Sequence, residues 1–95
     1  MSWNYRVLRS DDVDGTPTYG IHEVYYENGE PSNATLRAVG VVSDGRRELL
    51  LVLAAMAEAI SKPVLDFHTY EEVEPVIILG DQLQKVIDSA RKALE

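Results

Sequence analysis

The chain has 95 residues, 45% of them hydrophobic and 26% charged, with a net charge of −7 and no cysteine. That length suits one packed core rather than two, the composition excludes a disordered or fibrous chain, and the missing cysteines remove disulfides, thiolate metal sites and thiol nucleophiles. Residues 1–47 carry five basic and seven acidic side chains and residues 48–95 four and nine, an acidic balance that repels the phosphates on which nucleic-acid affinity depends.

One α+β domain over 1–95 is expected. Met1 to Asn4 has no basic segment followed by an apolar run, and the longest apolar stretch, Leu49 to Ala57, is far short of the roughly 18 residues that a membrane span requires. The expected location is the cytoplasm. Nucleic acid is a disfavoured partner, although Arg6, Arg9, Arg37, Arg46 and Arg47 could form a local basic patch.

In chain order, Trp3 to Arg9 alternates as a strand, with Trp3, Tyr5 and Val7 on one side and Asn4, Arg6 and Leu8 on the other. Ser10 to Pro17 is dense in turn formers and predicts an exposed loop. Thr18 to Tyr26 predicts a second strand, separating Tyr19, Ile21, Glu23 and Tyr25 from His22, Val24 and Tyr26. Asn28-Gly29 suits a tight hairpin turn, and a third strand is expected between Asn33 and Val42.

Ser43 or Asp44 can cap a helix that runs to about Ser61 before Pro63 stops it. Leu49, Val52, Leu53, Met56 and Ile60 form its main apolar face. Leu50, Leu51, Ala54 and Ala55 lie off that face, so the helix carries more apolar surface than one sheet can cover. Pro63-Val64-Leu65 reads as extended and Glu71, Glu72 and Glu74 as an acidic bend. Val76 to Leu79 predicts a fourth strand, and Asp81 with Gln84 a capping box. Leu83, Val86, Ile87, Ala90 and Leu94 then form the apolar stripe of a second helix. The expected architecture is a three-stranded antiparallel meander packed on a helix, then an extra strand and a C-terminal helix, βββαβα.

Trp3-Asn4-Tyr5-Arg6-Val7, Tyr19-Gly20-Ile21-His22-Glu23-Val24-Tyr25-Tyr26 and Lys62-Pro63-Val64-Leu65-Asp66 resemble a family of small uncharacterised bacterial proteins. The resemblance implies a family-like core at 1–66 and a strand–helix extension at 67–95; it implies no activity. The order of three strands and a helix is also similar to that of HicB-type antitoxin domains.

The chemistry-bearing residues have plain structural readings beside the functional ones. His22 and Glu23 are strand neighbours and point to opposite faces, so they cannot act on one reacting group. His22, Asp66, His68 and Glu71 are residue types that bind zinc, but their spacing matches no metal motif. Asp11, Asp12, Asp14 and Gly15 lack the length and terminal glutamate of an EF-hand. No nucleophile elbow, phosphate loop or dinucleotide fingerprint is present. The expectation is a non-enzymatic protein-interaction or adaptor module with no cofactor, acting as a homodimer and open to a protein partner. The alternative is an antitoxin-like or regulatory protein whose acidic half masks a basic partner. The candidate interaction surface is Leu50, Leu51, Ala54, Ala55, Tyr25, Tyr26 and His22.

Overall fold

The computed structural model describes residues 2–76 and 80–92, with backbone alone at 83, 90 and 91. In order they form β1 (Ser2–Asp11), β2 (Pro17–Glu27), β3 (Glu30–Ala34), α1 (Arg46–Ala59), β4 (Val64–Asp66), β5 (Glu72–Glu74) and α2 (Asp81–Lys92). The class is α+β, with a mixed five-stranded sheet in the order β3-β2-β1-β4-β5.

The expected meander is present. β1 pairs antiparallel with β2 from Ser2↔Tyr26 to Asp11↔Pro17. Ser10, Asp11 and Pro17 therefore belong to strands and not to a loop. The connection shrinks to a turn at 12–16, where the Gly15 amide donates to the Asp12 carbonyl at 2.9 Å and Gly15 has φ 84°. At the next hairpin Asn28 and Gly29 have φ 53° and 80°, the left-handed pair that matches the twist of two strands joined by a two-residue turn.

β3 starts at Glu30 and ends at Ala34, earlier than expected. Beyond it, Thr35 and Val39 still donate backbone hydrogen bonds to the Glu23 and Ile21 carbonyls, at 3.0 and 2.9 Å. Residues 35–39 thus follow the edge of β2 without forming a regular ladder. Gly20 accommodates them: a Cβ at this position would lie 3.0 Å from the Ala38 Cβ and 3.3 Å from the His22 Nε2.

After α1 the chain returns to the other edge of β1, where β4 pairs in parallel at Leu8↔Leu65 and Arg9↔Asp66. β5 pairs antiparallel with β4, so Glu72–Glu74 is a strand where an acidic bend was expected. The turn between them is built on Asp66, whose Oδ1 accepts from the amides of His68 and Thr69 at 2.8 and 3.0 Å. Of the strand expected at Val76–Leu79, Val76 is irregular and exposed, and 77–79 lie outside the described residues. The βββαβα expectation is therefore corrected to βββαββα among the described residues. Leu94, expected on the second helix, also lies outside them.

The two sides of the sheet are covered differently. Leu8, Val24 and Leu65 are fully buried together on one side, with Tyr26, Ala34, Phe67 and Tyr70 packed around them. On this side Arg6 donates from Nη1 to the Tyr26 hydroxyl at 2.9 Å and from Nη2 to the Pro63 carbonyl at 2.8 Å. Arg6 thereby ties β2 and the exit of α1 to β1. The other side carries Trp3, Tyr5, Val7 and Ile21, and here α1 approaches, its Ala55 and Glu58, with Lys62 just beyond it, bordering a hollow shared with Trp3 and Tyr5.

α1 begins at Arg46 with Gly45 at the N-cap and no side-chain cap, so neither Ser43 nor Asp44 fills that role. Its buried residues are Ala54, Met56 and Ala59. Leu49 and Val52 are half-buried, whereas Leu53 and Ile60, expected to face the sheet, are 47% and 40% exposed. A helix that is apolar around most of its circumference offers several equivalent faces. The small side chains of Ala54 and Ala59 allow the closest approach, which selects the face used.

Candidate functional site

Three leucines of α1 remain more than a third exposed to solvent. Leu50, Leu51 and Leu53 are 37%, 42% and 47% exposed, and Ala55 is exposed as well. Leu50 and Leu53 are three residues apart and share one side of the helix. Of the residues expected at an interaction surface, Leu50, Leu51 and Ala55 lie outside, while Ala54 and His22 are buried. Tyr25 and Tyr26 are half-buried on opposite sides of the sheet. Tyr25 donates to Glu23 at 3.1 Å, which raises its phenol pKa because loss of the proton would set two anions together.

A second feature lies beside α1. Val7, Ile21 and Val64 from three strands and Ile60 from the end of α1 surround an open apolar groove of about 470 Å³. Tyr19, Gly20, Lys62, Glu74 and Pro75 complete its lining. Glu74 Oε2 accepts from the Tyr19 hydroxyl at 2.6 Å and from Arg9 Nη1 at 3.1 Å. Arg9 Nε also lies 3.5 Å from Asp11. The hydrogen bond to Glu74 raises the Tyr19 pKa, with loss of solvent contact acting in the same direction. Lys62 forms no ion pair among the described residues.

Of the residues considered for catalysis or metal binding, His22 and Asp66 are engaged in hydrogen bonds within the fold, and His68 and Glu71 are exposed. His22 is buried, and its Nδ1 lies 2.9 Å from the Thr35 carbonyl. Since a carbonyl only accepts, Nδ1 carries the proton. Phe67 stands between the two histidines, its ring centroid 5.6 Å from His22 and 5.1 Å from His68. The amides of Thr69 and His68 hold Asp66 below its ordinary carboxylate pKa. Among the described residues no three His, Asp or Glu side chains group as a metal site. In the first hairpin, Asp14 accepts from the Thr16 amide and Asp12 from the Thr18 hydroxyl, at 3.0 and 3.3 Å.

Of the five arginines of the expected basic patch, Arg6 is buried and Arg9 is paired with Glu74 and Asp11. Sequence reasoning missed the groove and the Arg9–Tyr19–Glu74 cluster. The β1–β2 register, which sets Arg9 opposite Tyr19, was accessible from the hairpin. The arrival of Glu74 depends on the three-residue strand β5, which has no local signature.

Comparison with protein-family models, with curated proteins and with solved structures found no match. No helix among the described residues is long and apolar enough to cross a membrane.

Proposed function

We propose that the chain is a non-enzymatic interaction module that self-associates through the uncovered side of α1. The observation that carries this reading is the joint exposure of Leu50 and Leu53, three residues apart on one side of α1. Single exposed leucines are ordinary, but a pair on one side of a regular element is the pattern of a contact surface. A second copy is the simplest occupant, since two such helices bury each other's leucines about a twofold axis. The engagement of His22 and Asp66 in structural hydrogen bonds supports association over chemistry as the role of the fold.

Light scattering on the wild type at micromolar concentration should give the mass of a dimer. A Leu50→Glu/Leu53→Glu variant, with unchanged circular dichroism, should give the mass of the monomer. A monomeric wild type, or a variant that remains dimeric, overturns the assignment to α1.

The regulatory alternative draws on the acidic β4–β5 hairpin, where Glu71 and Glu72 are exposed and would attract a basic partner. The burial of Arg6 and the pairing of Arg9 remove two of the five arginines that would have touched nucleic acid. The resemblance to small bacterial proteins rests on the sequence strings alone and adds no activity to either reading.

A further inference from the structure

We infer that the groove between α1, β1, β2 and β4 binds a monoanionic amphiphile, an apolar chain of medium length ending in a carboxylate. This goes beyond the association reading and uses a different surface from Leu50, Leu51 and Leu53. Size comes first. At about 470 Å³ the groove falls within the roughly 300–1,000 Å³ of small-molecule sites. Its walls are Val7, Ile21, Ile60 and Val64, none of which has a polar side-chain atom, and Ile60 at 40% exposure gives up apolar surface to water in the free protein. An alkyl chain laid along these residues removes that surface from water, which tightens binding about fourfold for each buried methylene.

The charged side chains on the lining choose the head group. The Glu74 carboxylate is already satisfied by the Arg9 guanidinium and the Tyr19 hydroxyl, so it has little attraction left for a ligand cation. Lys62, half-buried and also on the lining, has no ion-pair partner among the described residues. Of the two charged side chains on the lining, Lys62 is therefore the one left to meet a ligand, and an ammonium is complementary to a single anion. The chain's net charge of −7 opposes any anion at long range. That repulsion is screened beyond about 8 Å at physiological salt, so the contact with Lys62 decides the outcome. A cationic amphiphile has no such contact. An uncharged one gains the chain burial alone.

The test is a nitrogen–proton NMR titration of the full chain with sodium octanoate and, in parallel, with octan-1-ol. Octanoate should give saturable shifts centred on Val7, Ile21, Lys62 and Val64. A charged hydrogen bond at a half-buried site corresponds to octanoate binding about tenfold more tightly than the alcohol. In Lys62→Gln, with the spectrum otherwise retained, the acid should lose this advantage and bind like the alcohol. In Ile21→Ser, which leaves Lys62 in place, both ligands should weaken together. Shifts confined to the leucines of α1, equal affinity of acid and alcohol for the wild type, or an undiminished preference for octanoate in Lys62→Gln would each overturn the inference.

Discussion

Gly20 shows how a single missing atom shapes the molecule. The 35–39 segment runs along the edge of β2, where a side chain on Gly20 would collide with Ala38 and His22. Gly20→Ala should therefore destabilise the fold by roughly 1–3 kcal/mol, the usual cost of overpacking, measured as a lower midpoint in denaturant. Arg6 is constrained in the opposite sense, as a buried cation that must be supplied with acceptors. Tyr26→Phe removes the acceptor of Nη1 and should cost about 1–3 kcal/mol, because a charged donor is left unpaired away from water. Asp66 adds a pH dependence. The amides of Thr69 and His68 hold its pKa below the ordinary 3.8, so its contribution is complete above that value and is lost as pH falls through the lower folded value. Asp66→Asn keeps a carbonyl to accept both bonds but does not titrate. Its stability should therefore fall less steeply than the wild type's below about pH 4.

Among the elements, those with local signatures were legible. The alternation of Trp3–Arg9 and Thr18–Tyr26 set the two faces of the hairpin correctly, and Asn28-Gly29 marked its neighbour's turn, because side-chain period and turn conformation are properties of adjacent residues. The extended reading of Pro63-Val64-Leu65 fell on β4 without its pairing, and β5 escaped, because strands of three residues exist only through their pairing with β1 and with each other. The buried face of α1 was illegible for another reason: Leu49 to Ala57 is apolar on every side, so periodicity does not favour one orientation. The residues expected at a surface divide: Leu50, Leu51 and Ala55 are exposed, whereas Ala54 and His22 are buried. The Arg9–Tyr19–Glu74 cluster joins three strands and gives an element-scale prediction. Its hydrogen bond raises the Tyr19 pKa above 10.0, so this contribution to stability holds below that value and disappears as pH rises through the folded pKa. Tyr19→Phe should remove that alkaline loss from a denaturation series run across pH 9–12.

At the scale of the whole molecule, the fully buried cluster of Leu8, Val24 and Leu65 lies on the side of the sheet away from α1. The helix is consequently not needed to shield that cluster from water, and although β1 and α2 both contact it, Leu50, Leu51 and Leu53 remain partly exposed. A fold so arranged has its most apolar element at its surface, where a second copy can bury it. The absence of native cysteine allows one spin label to be placed at a chosen position, and Arg46→Cys puts it at the exposed N-terminal end of α1, beside Leu50. Pulsed dipolar spectroscopy of that labelled protein at micromolar concentration should show one defined distance between the labels of two copies, abolished by Leu50→Glu/Leu53→Glu. Labels with no dipolar coupling above background, or with a coupling indifferent to the two glutamates, would contradict the assignment of α1 as the interface.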